Sequence, residues 1–170
     1  MKFVQIDEKQ QIGQRLLELV AVLDYPTAEV AELSGLELEE LENGYVRLFI
    51  NDLGGVSAPP FAGCYVEKED RLNFMAQFSG FCREAGIEIN ASFPPDYIPL
   101  MVEALVLLLS AEDSETDICS LLSTFYQRWP RLFAVTLKEH DKTGLYADAG
   151  EELCRIIEEL PDILTLNPAT

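Results

Sequence analysis

The chain has 170 residues, close to half of them hydrophobic, enough to bury one ordinary core without disulfides or metals. Thirty acidic residues against twelve basic ones leave a formal charge of -18, which repels phosphate backbones and anionic membrane surfaces and attracts cationic partners. That balance argues against nucleic acid as a partner.

The start, Met1 to Glu8, turns acidic before any apolar run develops, so it lacks the basic and hydrophobic segments of a secretory signal, and a cytoplasmic location is expected. Ile12, Leu16, Leu17, Leu19, Val20 and Leu23 then recur at helical spacing until Tyr25-Pro26 stops the pattern. An acidic segment from Thr27 to Leu33 predicts a turn of helix. Leu36, Leu38, Leu41, Tyr45, Leu48, Phe49 and Leu53 trace a second amphipathic stripe, with Gly44 lowering its propensity.

Gly54-Gly55-Val56-Ser57-Ala58-Pro59-Pro60-Phe61-Ala62-Gly63 reads as a loop, because its glycines and prolines favour turns and extended backbone. It carries no G-x-x-x-x-G-K-[ST] pattern, no strand precedes it, and Lys68 is the one lysine nearby, which argues against a nucleotide site. From Glu69, the residues Leu72, Met75, Phe78, Phe81 and Cys82 mark a third helix, with Gly86 placed for a left-handed cap. Phe93-Pro94-Pro95-Asp96-Tyr97 then opens the longest apolar run, Ile98 to Leu109. Interrupted by Glu103, that run is shorter than the roughly 18 to 20 residues of a membrane span and reads as a core helix.

Asp113 or Ser114 can cap the next helix, on which Ile118, Leu121, Leu122, Phe125, Tyr126, Trp129, Phe133 and Leu137 keep the spacing, with Pro130 expected to kink or divide it. Thr143 can cap a last helix carrying Leu145, Tyr146, Ala149, Leu153, Ile156, Ile157 and Leu160, with Pro161 expected to stop it. No strand, fixed-period repeat or low-complexity segment emerges. The expectation is all-α: a single domain over 1–170, an irregular helical bundle of about six or more helices, ordered over about 9–161 with an irregular tail 162–170.

Catalytic chemistry finds little support. Cys64, Cys82, Cys119 and Cys154 include no C-x-x-C pair, and one histidine, His140, does not complete a metal set. Cys82, Cys119 and Cys154 fall at apolar helical positions and are expected buried, while Cys64 lies in the loop. His140, between Glu139 and Asp141, reads as a solvated surface residue, and Glu39-Glu40, Glu151-Glu152 and Glu158-Glu159 as solvated runs. No catalytic residue, metal or cofactor is expected. What stands out is the loop from Gly54 to Tyr65, both apolar and irregular, and the turn around Asp96, a residue that could also serve as a helix cap.

Taken together these segments resemble the TorD, DmsD and NarJ family of dedicated chaperones for molybdenum-cofactor oxidoreductases. Tyr45-Val46-Arg47-Leu48-Phe49 resembles the family's aromatic-x-x-Leu-Phe helix end, and Gly54-Gly55 through Pro59-Pro60-Phe61 to Tyr65 its following loop, with Gly63 where serine is usual. Pro94-Pro95-Asp96-Tyr97-Ile98, with Glu103 beyond, resembles the family's Pro-Asp-His or Pro-x-Asp-His turn and the apolar helix with an embedded glutamate that follows it, tyrosine replacing histidine. Phe125, Trp129, Phe133 and Tyr146 are similar to its C-terminal aromatic pattern, so the resemblance spans roughly Glu37 to Leu160.

The resemblance implies a cytoplasmic, non-catalytic chaperone, monomeric or dimeric, that binds the twin-arginine leader peptide of a molybdenum oxidoreductase subunit until cofactor insertion is complete. The candidate peptide-binding residues are Pro60, Phe61, Tyr65, Pro94, Asp96, Tyr97 and Glu103. Asp96 is the candidate arginine acceptor, and Glu103 is either a second one or a helix carboxylate that simply reaches solvent. A tyrosine does not titrate near neutral pH, so a role belonging to the histidine does not transfer to Tyr97. The alternative is an acidic adaptor that binds a folded basic partner protein through its charged surface.

Overall fold

The computed structural model describes residues 2–51, 54–67 and 70–166. Within them the chain forms α1 (Lys2–Leu23), α2 (Ala28–Ser34), α3 (Leu38–Tyr45), α4 (Arg71–Glu84), α5 (Ile98–Ser110), α6 (Glu115–Phe125), α7 (Trp129–His140) and α8 (Leu145–Leu166), with no strand among the described residues. A π-helical turn, Val46–Ile50, continues α3, and a 3₁₀ turn, Ala62–Tyr65, lies inside the Gly-Pro loop. The all-α expectation holds. Leu53 and Glu69 of the predicted stripes, together with Lys68, lie outside the described residues.

The apolar run after Asp96 becomes the central helix. On α5, Ile98, Met101, Val102 and Leu105 are wholly buried, because apolar residues surround the helix nearly all the way round. It packs against α1 and α6, while α8 covers α7 and α1. The pair α7 and α8 approach closely at Gly150, where a Cβ would stand 2.7 Å from Leu137 Cδ1 and 3.3 Å from Ala134 Cα. On α4 the inward face runs through Phe74, Phe78 and Phe81, whose rings stand edge-on to Phe125 at 5.7, 5.5 and 5.9 Å.

Several local expectations need correction. Leu72 is exposed, since the stripe that meets Phe125 excludes it. Cys119 is also exposed, because α6 turns Ile118, Leu121, Leu122 and Phe125 inward and leaves Cys119 on the outer face, whereas Cys82 and Cys154 are buried. Ser114 precedes α6 without capping it; its hydroxyl instead donates to the carbonyls of Leu108 and Ala111, closing the turn after α5.

Pro130 divides the predicted long helix as expected. The new helix starts at Trp129, whose indole N–H donates to the Phe125 carbonyl at 2.8 Å across the break. Pro161 does not stop α8, which continues to Leu166. Leu153, Ile157, Leu160 and Leu164 are all buried along one face, and the apolar burial of Leu164 offsets a proline cost of about 3 kcal/mol.

Candidate functional site

The Gly-Pro loop and the Pro-Asp turn meet. Phe61 pairs with Tyr97 in an isolated antiparallel bridge. Around it the Ala62 N–H donates to the Asp96 carbonyl at 2.7 Å, and the Ile98 N–H to the Pro60 carbonyl at 2.8 Å. The turn itself is closed by the Tyr97 N–H donating to the Pro94 carbonyl at 3.0 Å. Thus Pro60, Phe61, Pro94, Asp96 and Tyr97, separated by more than thirty residues in sequence, form one unit.

Asp96 does not cap α5. Its carboxylate is fully buried and accepts from the Gly63 N–H at 3.1 Å and from Arg71 Nε at 2.8 Å, while Arg71 Nη2 approaches the other oxygen at 3.4 Å. The acceptor predicted for a partner's arginine is therefore already filled by an arginine of the same chain. The Asp96 hydrogen bond holds the Arg71 guanidinium above its usual pKa. Arg71 also lies over the Phe61 ring, its Cζ 5.2 Å from the centroid.

Above this ion pair lies an aromatic shelf. Phe93 stacks on Tyr97 with centroids 4.6 Å apart and planes 9° from parallel, and Phe61 packs on Tyr97 at 5.8 Å. Tyr45 lies close enough to act on the Tyr97 hydroxyl, and Tyr25 stands edge-on to Tyr45 at 5.3 Å. Tyr97 is nearly buried, whereas Tyr25 and Phe93 are 49% and 43% exposed and present apolar faces to solvent. Two exposed carboxylates, Asp24 and Glu103, lie close enough for their fields to act on the Tyr97 hydroxyl. Burial first, then Tyr45 and those two carboxylates, pushes its pKa well above the phenol range, so Tyr97 stays a neutral hydrogen-bonding group at any physiological pH.

Tyr65 faces the other way. Its hydroxyl donates to the Pro59 carbonyl at 2.8 Å and its ring meets Phe133 edge-on at 5.7 Å, so it pins the loop to α7. Tyr45, Phe49 and Phe133 continue the aromatic contacts inward, with Tyr45 and Phe49 rings 5.0 Å apart. Asp24, Tyr25, Tyr45, Arg71 and Phe93 were not among the predicted site residues. Tyr45 and Phe93 stood inside the quoted motifs, whereas Tyr25 read only as the stop of the first helix before Pro26, and Asp24 and Arg71 carried no signal in the sequence. His140 is exposed at the end of α7, beside an open cleft of about 440 Å³ that Glu37, Glu40, Arg47 and Lys142 also line.

A profile of the nitrate reductase delta subunit family matches residues 7–142, a span that contains every residue of this unit. The chain belongs to that family. In this nitrate reductase delta subunit family member, the two segments that carried the resemblance to TorD- and NarJ-type chaperones are the two that the fold brings together. The fold is similar to the crystal structure of a candidate redox enzyme maturation protein from Archaeoglobus fulgidus, with a TM-score of 0.64 and 22% identity, covering 88% of this chain and 93% of that chain. At that identity the likeness establishes the fold. Among curated proteins none matches the chain.

Proposed function

We propose that this delta-family protein is a cytoplasmic, non-catalytic chaperone that binds the N-terminal twin-arginine leader of a molybdenum-cofactor oxidoreductase subunit and holds it during cofactor insertion. Family membership supports the maturation role for a molybdoenzyme. The observation that carries the leader reading is the pairing of exposed apolar ring faces, Tyr25 and Phe93, with exposed carboxylates, Asp24 and Glu103, around one buried tyrosine. A twin-arginine leader joins guanidinium groups to an apolar stretch. Carboxylates accept charge-assisted hydrogen bonds from the former, and ring faces remove the latter from water.

This reading moves the arginine acceptors from Asp96 to Asp24 and Glu103, and gives Asp96 the task of shaping the shelf. Pro60 and Pro94 set the backbone on either side, Phe61 and Tyr97 form the floor, and Tyr65 holds the loop from behind.

The test is calorimetric titration of the full chain with a synthetic leader from a molybdenum oxidoreductase subunit. Phe93→Ala and Glu103→Gln should each weaken binding about tenfold with little change in thermal stability, since both side chains are exposed. A leader with both arginines replaced by alanine should bind correspondingly worse. Binding indifferent to these changes but falling steeply with salt would instead mark the acidic surface as an adaptor for a basic protein. Absence of binding to every such leader would overturn the proposal.

A further inference from the structure

The tightest constraint on any glycine of the described residues is the space around Gly63. No positive φ is needed there, so its value is not backbone freedom. A Cβ at this position would overlap Arg71 Cγ and stand 2.6 Å from Asp96 Oδ2 and 3.1 Å from Arg71 Cδ. The volume a side chain at 63 would fill is occupied by the stem of Arg71, which thereby reaches a carboxylate with no exposure to water.

We infer that Gly63, Arg71 and Asp96 form a latch in which Arg71 is the positioning residue, clamping the Gly-Pro loop to the Pro-Asp turn and fixing Phe61 beneath the shelf. Three joints depend on it. The carboxylate takes the Gly63 N–H from the loop and the Arg71 guanidinium from α4, while the backbone of Asp96 takes the Ala62 N–H. The same guanidinium lies over Phe61, whose ring also packs against Tyr97. The partly exposed side of Arg71, at 35% of its side-chain surface, leaves the latch open to a competing anion or a displaced loop in a way a fully enclosed pair would not be. With the cation gone, a buried carboxylate holds only one backbone donor, and the loop loses its most directional tether. The consequence for peptide binding rests on the reading of the shelf as the leader site; the latch does not.

Amide hydrogen exchange by NMR on the full chain separates the two. Arg71→Ala should speed exchange at Ala62, Gly63 and Ile98 about tenfold, the effect expected for a local opening that has lost a charge-assisted bond, with the Leu105 amide of α5 unchanged. Arg71→Lys, which restores a cation but not the fork, should recover most of that protection. Gly63→Ala should expel Arg71 from Asp96 and give the same acceleration. The double variant Gly63→Ala/Arg71→Ala should be no worse than either single one, because both remove the same contact.

Leader affinity should fall in parallel with protection across the series. Unchanged exchange in Arg71→Ala, or additive effects in the double variant, would overturn the latch. Should Arg71→Ala fail to fold, Arg71→Lys and Gly63→Ala decide the matter by the same exchange. If exchange follows the pattern while the unaltered chain binds no leader, the latch stands and the leader reading falls.

Discussion

Asp96 brings a charge into a place water does not reach, and it is tolerable there because its oxygens meet a backbone donor and a guanidinium. Asp96→Asn keeps the shape and part of the hydrogen bonding, and should cost about 1–2 kcal/mol in urea unfolding. Asp96→Ala strands both donors and should cost about 3 kcal/mol or more. An Asp96→Asn variant as stable as the parent would show that the charge contributes nothing. Tyr97 poses the opposite problem. Its hydroxyl is kept neutral by burial and by nearby carboxylates, so it supplies a fixed polar point on an apolar floor, with no titration near neutral pH.

Among the elements, α1 is joined to the bundle by charge as well as by apolar contact with α5. Lys9 pairs with Glu115 of α6, and Arg15 forks onto Glu152 of α8, its Nε 2.6 Å from Oε1. The Arg15 hydrogen bonds hold the Glu152 carboxyl below its ordinary pKa, and the Lys9 hydrogen bond does the same for Glu115. A carboxyl depressed in the folded state contributes stability above its unfolded pKa and loses it as pH falls through the folded value. Glu152→Gln should therefore cost about 1 kcal/mol at pH 7, a modest figure because Arg15 is half exposed. The gap between variant and parent should close below about pH 4, where the parent's glutamate also protonates. Denaturant unfolding at several pH values measures this, and a gap that persisted in acid would rule the pair out as its source.

At the scale of the whole molecule, a formal charge of -18 on one bundle means the folded state repels itself at low ionic strength. Raising sodium chloride from about 20 to 200 mM shortens the reach of that repulsion and should raise the melting temperature by about 2–5 °C. The same salt should weaken binding of an arginine-bearing leader. Opposite responses of stability and affinity in one titration are the expected signature, and a melting temperature that fell with salt would refute the first half. No helix among the described residues is long and apolar enough to cross a membrane.

The sequence by itself determined the helical class, the aromatic core and the two irregular segments that pair in the fold. Apolar spacing along a helix and the backbone limits of glycine and proline are local properties, readable wherever they occur. Phe125, Trp129, Phe133 and Tyr146 were legible for that reason, as was the break at Pro130. Tertiary structure alone decided what those segments do to one another. That Leu164 would be buried, drawing α8 through Pro161, depended on neighbours from other elements. So did the inward turn of Asp96: spacing places an aspartate before a helix, but only the approach of Gly63 and Arg71 determines that its carboxylate is filled from within. The Phe93-to-Tyr97 turn thus keeps its place at the centre of the proposed site, with Phe93 and Tyr97 as its exposed-to-buried stack and its aspartate turned to the interior.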